Sequence, residues 1–183
     1  AGNLTRKQNV FDDFIACAEH LIEKRYTSPE RLAAEGGSNG GLLMGAAFVQ
    51  RPELYRAVVS HVGIYDMLRV ELSPNGEYNT TEFGTVKDRE QLKALHAYSP
   101  YHHVVDGARY PSVLFMTGEN DPRVDPMQSR KMTARRLAAT GSGRPILLRT
   151  SAATGHGGST PLSARNEEAA AAYAVRVKAL GVD

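Results

Sequence analysis

Ser38 stands in the run GGSNGG at residues 36–41, a G-x-S-x-G frame between a short apolar stretch (Leu32, Ala33, Ala34) and a strongly helical one at residues 42–49. A serine hydroxyl attacks a carbonyl carbon only when a base takes its proton and the backbone holds it clear of its surroundings. Glycines two positions before and after it relieve the crowding of a strand that turns sharply into a helix, a nucleophile elbow. The plainer reading is a glycine-rich turn ahead of a helix. With 17 glycines in 183 residues, chance supplies about 0.1 such frames. Two partners for the same chemistry follow: Asp121, in GENDPR at residues 118–123, and His156, in GHGG at residues 155–158. The order Ser, acid, His suits acyl transfer, with His156 taking the serine proton and Asp121 holding the imidazole Nδ1–H. Glu119 and Asp125 are rival acids. An Asp before Pro is often a turn or cap, and a His among glycines is often a solvated loop residue. The backbone N–H of Asn39, one residue past the serine at a helix start, supplies one oxyanion donor; the second normally comes from a loop after an earlier strand.

Those side chains need a scaffold that gathers strand ends. Residues 8–24 carry Val10, Phe11, Phe14, Ile15, Ala18, Leu21 and Ile22 at helical spacing. A short strand over residues 31–35 leads to Ser38, and a helix over 39–50 is stopped by Pro52. Residues 55–62 are rich in β-branched residues without clean alternation, as in a parallel strand covered on both faces. Residues 63–85 dissolve into turn residues. Beyond them the pattern predicts a helix over 87–96, a strand over 111–117, a helix over 126–140, a strand over 146–150 and a helix over 166–180 ended by Gly181. Strands alternating with helices predict an α/β fold, a mainly parallel sheet with right-handed crossovers. In such sheets ligands collect at the carboxyl ends of strands, where Ser38, Asp121 and His156 each fall.

At 183 residues and 42% hydrophobic, the chain reads as one domain, 1–183. A net charge of +2 with scattered lysines and arginines argues against a nucleic-acid partner, and no apolar run approaches a membrane span. The single Cys17 excludes an internal disulfide and reads as a buried structural thiol. No HExxH or comparable pattern occurs among the six histidines; adjacent His102 and His103 could be a metal fragment but read better as surface loop, and no metal or cofactor is expected. The N-x-T sites at Asn3 and Asn79 carry no weight without a secretory context. The start at Ala1-Gly2-Asn3, without Met or a signal-like segment, predicts a portion of something longer, with the compartment open between cytoplasm and periplasm.

KQNVFDDF (7–14), GGSNGGLL (36–43), VGIYDMLR (62–69), YSPYHHV (98–104), GENDPRVDP (118–126) and GHGG (155–158) span nearly the whole chain. In these blocks and their order the chain resembles the catalytic domain of the prolyl oligopeptidase family of serine peptidases. The resemblance implies an α/β-hydrolase fold with its first strands missing, with Ser38 as nucleophile, Asp121 as acid, His156 as base and Asn39 as the backbone oxyanion donor. It also implies that Arg123 grips a substrate backbone carbonyl, and that Ile64, Phe83 and Val124 line the apolar pocket for the residue before the scissile bond. For Arg123 the plainer reading is a surface salt bridge, for instance with Asp125. Asn79 stands where the family carries a proline-stacking tryptophan, and the chain has no Trp. Without that flat ring, the pocket lacks the stacking attraction that would favour proline specifically.

The implied partners are short peptide substrates and the missing segments: a β-propeller, the first strands and a tyrosine completing the oxyanion hole. An esterase or acyl-peptide hydrolase on the same fold, and an inert fragment, remain alternatives. The strand at 31–35 would be left as an exposed edge, so the isolated chain is predicted to be unstable or poorly active.

Overall fold

Helix α1 (Gln8–Glu23) turns Phe11, Ile15 and Ala18 inward, the three-to-four spacing that gives a helix one buried stripe. The computed structural model describes residues 2–157 and 160–182, so Gly158 of the GHGG run lies outside the described residues. After α1 come β1 (Ala33–Gly37), α2 (Asn39–Gln50), β2 (Ala57–His61), α3 (Thr80–Phe83), α4 (Arg89–Tyr98), β3 (Ser112–Gly118), α5 (Met127–Ala139), β4 (Ile146–Ser151) and α6 (Leu162–Leu180).

The four strands pair in parallel in the order β1-β2-β3-β4. Register places Ala34, Val58, Val113 and Ile146 across one row, and this face packs with Phe115 against α1, α2 and α5. One residue along, Val59, Leu114 and Met116 point the other way, onto Ala172 of α6. Side chains alternate across a strand, so a strand clothed by helices on both faces must be apolar at every position. β3 is buried along all its length, which explains the apolar run from Val113 to Met116 at its centre. Phe48 of α2, wholly buried, meets Phe115 edge-on at 6.2 Å between ring centroids and Tyr110 at 6.5 Å. Each such ring contributes roughly 1.5–3 kcal/mol by burial alone.

Several boundaries differ from the sequence reading. β1 begins at Ala33 because Pro29–Arg31 forms a 3₁₀ turn, and it continues through Gly36 and Gly37, which pair with Ser60 and His61. α6 starts at Leu162, four residues earlier than expected. Within residues 63–85, 3₁₀ turns at Val70–Leu72 and Gly76–Asn79 lead into α3. Cys17 is exposed rather than buried: the inward stripe of α1 passes through Ile15 and Ala18, leaving Cys17 outside it. Of the two adjacent histidines, His103 is exposed as expected, whereas His102 is only partly so. It sits half-buried in a 3₁₀ turn, Pro100–His103, with Nδ1 2.8 Å from Ser99 Oγ and Nε2 3.8 Å from the buried Asp66 carboxylate. Among the described residues no three His, Cys, Asp or Glu side chains gather as a metal site, and no helix is long and apolar enough to cross a membrane.

Candidate active site

The corner between β1 and α2 is built by backbone constraint. Ser38 adopts φ 58°, ψ −118°, a conformation that costs a non-glycine residue on the order of 1–3 kcal/mol. Hydrogen bonds hold it there: the Ser38 N–H donates to His61 O at 2.9 Å, and the Leu42 N–H donates to Ser38 O at 3.1 Å as the helix begins. A Cβ on Gly36 would lie 2.5 Å from Gly40 O, and one on Gly41 would lie 2.5 Å from Gly63 Cα. Gly40 has open space around it. The expected pair of required glycines at ±2 is therefore corrected: Gly36 and Gly41 are sterically demanded, while Gly40 is not.

The loops after β3 and β4 are laced together. Glu119 N–H donates to Ser151 O (2.9 Å), Asn120 N–H to Thr154 O (3.2 Å) and Asn120 Nδ2 to Ala152 O (2.7 Å). Gly118 makes room for this, since a Cβ there would lie 2.3 Å from Thr154 O. Asp121, its side chain fully buried, accepts at Oδ1 from the N–H groups of Arg123 (2.8 Å) and Val124 (3.0 Å). Those bonds leave Oδ2 for His156 Nδ1 at 2.7 Å, and His156 Nε2 lies 3.0 Å from Ser38 Oγ. The rival acids are committed elsewhere. Glu119 pairs with Arg130 at 3.4 Å, and Asp125 Oδ1 accepts the Met127 N–H at 2.8 Å just ahead of α5.

Asn39 is the first residue of α2, where a backbone N–H has no intrahelical partner. Arg123 is exposed on the rim of a cleft of about 440 Å³ that it shares with His156, Asn120 and Pro122. Among the described residues it makes no ion pair, so the suggested bridge to Asp125 does not form. Ile64, Phe83 and Val124 meet in one apolar cluster with Leu42, Met67 and Leu95. Asn79, half-buried, ends the 3₁₀ turn just before α3.

Two polar groupings around this cluster escaped the sequence reading. Burial of Asp66 opposes its ionisation, yet hydrogen bonds from Lys131 and Arg69 outweigh it and hold the carboxyl below its ordinary range. Gln128 of α5 accepts at Oε1 from the N–H groups of Tyr65 (2.9 Å) and Asp66 (2.8 Å), fastening the loop that carries Ile64. The second grouping joins buried Lys7, Glu82 and Asn39; Lys7 is the largest influence holding the Glu82 carboxyl below its ordinary value. A lysine inside the amphipathic entry to α1 was the one available signal.

A sequence profile described as the prolyl oligopeptidase family matches residues 1–182. A prolyl endopeptidase of Dictyostelium discoideum is 41% identical over all of this chain and 24% of its own length. Protease 2 of Moraxella lacunata is 36% identical over all of this chain and 27% of its own. Among solved structures, a chain from a structural and mechanistic analysis of two prolyl endopeptidases superposes with a TM-score of 0.97 at 49% identity, covering all of this chain and 27% of that one. Oligopeptidase B from Leishmania major gives 0.93 at 30% identity, over 98% of this chain and 25% of that one. The chain thus spans about a quarter of the length of the relatives it matches. With a profile match from end to end and close relatives in both sequence and fold, the chain belongs to the prolyl oligopeptidase family.

Proposed function

We propose that residues 1–183 are the C-terminal part of a peptidase catalytic domain of α/β-hydrolase fold, hydrolysing short peptides through an acyl-enzyme. Ser38 Oγ adds to the scissile carbonyl carbon while His156 Nε2 takes its proton. Asp121 holds Nδ1–H and stabilises the imidazolium. The carbonyl oxygen, now negative, accepts from the Asn39 N–H, and a second donor comes from a segment preceding this chain. As the intermediate collapses, the C–N bond breaks and the imidazolium gives its proton to the leaving amine. Water then enters, loses a proton to His156 and releases the acid product from Ser38. Arg123 on the cleft rim binds a substrate backbone carbonyl, and Ile64, Phe83 and Val124 wall the pocket for the residue before the scissile bond.

The observation that carries this reading is the unbroken pair of hydrogen bonds, Ser38 Oγ to His156 Nε2 and His156 Nδ1 to Asp121 Oδ2. Its test is labelling with a fluorophosphonate, which reacts with an activated serine. Label maps to Ser38, and His156→Ala abolishes it while the circular dichroism spectrum is kept. Well-folded protein that takes up no label overturns the proposal.

Asn79 supports a second reading, in which proline before the cut is not required and the enzyme acts as an esterase or acyl-peptide hydrolase. An amide side chain lacks the flat face on which a proline ring stacks. Comparing proline- and alanine-containing peptides on the longer protein that carries this chain separates the two. A strong proline preference there removes the second reading.

A further inference from the structure

Lys7 is almost wholly buried, with 3% of its side chain exposed, and its Nζ donates to Glu82 Oε1 at 2.5 Å. The same oxygen accepts from Asn39 Nδ2 at 3.2 Å. Phe83, the next residue, has its ring centroid 5.4 Å from the Lys7 ammonium. Three stretches distant in sequence thus converge on one carboxylate oxygen beside the elbow. Taking an ammonium out of water costs several kcal/mol unless a counter-charge meets it, so Lys7 confines Glu82 although 42% of that side chain is exposed. Confinement leaves Oε1 at a fixed point for the Asn39 carboxamide.

We propose that Glu82 is a positioning residue for acyl transfer: held by Lys7, it anchors the Asn39 side chain and so aims the Asn39 backbone N–H at the nascent oxyanion. This rests on the proposed reading of Ser38 as nucleophile and extends it to α3. An oxyanion donor acts only from about 2.7–3.1 Å, and a misplacement of about 1 Å can cost on the order of 10²-fold in rate. Ser38 sits in a strained conformation and the Asn39 N–H that follows has no intrahelical partner, so an anchor on the Asn39 side chain bears on where that N–H points. The Glu82 carboxylate supplies that anchor.

Second-order fluorophosphonate labelling rates, their pH profiles and melting temperatures test this in the parent, Glu82→Ala, Asn39→Ala and the double variant. A Lys7→Met/Glu82→Ala pair avoids leaving a buried charge alone, and Glu82→Gln keeps an oxygen for Asn39. A folded parent that takes no label would sink the nucleophile assignment and leave nothing for Glu82 to position. With a labelling parent, each single variant slows by about tenfold or more, and the double is no slower than the slower single. Glu82→Gln recovers most of the rate, and the midpoint of the pH profile stays put because His156 and Asp121 are untouched. Labelling at the parent rate in Asn39→Ala or in Lys7→Met/Glu82→Ala overturns the proposal. So do effects that multiply in the double variant, or a displaced pH midpoint.

Discussion

The elbow and the proposed pocket wall lie side by side and are built by opposite means. At the elbow the backbone does the work: Ser38 is strained, Gly36 and Gly41 are packed against main-chain atoms, and the loops after β3 and β4 share hydrogen bonds. The wall is made of side chains brought from far apart, with Ile64, Phe83 and Val124 in one cluster and Lys7, Glu82 and Gln128 pinning its margins. A backbone device has to be written locally in glycines and turn residues. A packing device is written in residues that look ordinary one at a time.

The largest expected effect falls on the wall. Phe83→Ala should cost about 3–5 kcal/mol in denaturant unfolding, because a buried ring is lost and a cavity remains. Labelling of Ser38 by a small fluorophosphonate should persist in the folded fraction. If labelling vanishes there while stability holds, elbow and wall are not separable as described. Next, Gly36→Ala should destabilise by about 1–3 kcal/mol and suppress labelling, since its methyl group would push on Gly40 O. Gly40→Ala, with open space, should melt within a few degrees of the parent. Equal effects of the two would erase the steric argument for the elbow.

This contrast explains what was legible in the sequence. Alternating strand and helix patterns, the parallel sheet and the placement of Ser38, Asp121 and His156 at three strand ends followed from local signals and chain order. The structure brings those three side chains within hydrogen-bond distance. Gly40 was misjudged because a motif records a residue type and not the direction in which its missing Cβ would point. Cys17 was misplaced because an apolar helical stretch does not state where its buried stripe ends. Lys7, Glu82 and Asn39 could not be joined, since neither periodicity nor spacing connects residues 7, 39 and 82.

Smaller effects sharpen the comparison. Asn79→Trp should raise the preference for proline over alanine substrates by roughly 0.5–1.5 kcal/mol in kcat/KM, measured on the longer protein. An unchanged ratio would place Asn79 outside the pocket wall. Acid provides the gentlest probe. Asp66 and Glu82 have folded pKa values below their ordinary 3.8 and 4.5, so their contribution is complete above those values and is lost as pH falls through the lower, folded ones. Melting temperature should therefore drop below about pH 4, less steeply in Asp66→Asn than in the parent. Parallel curves would show that the Asp66 cluster does not fasten the wall.

The proton path from Ser38 through His156 to Asp121 is tested most directly by the labelling rate of Asp121→Asn. An amide in place of the carboxylate favours the wrong imidazole tautomer while preserving shape, so the rate at Ser38 should fall by about 10³–10⁴ with the fold intact. An Asp121→Asn protein that labels as fast as the parent would contradict the account.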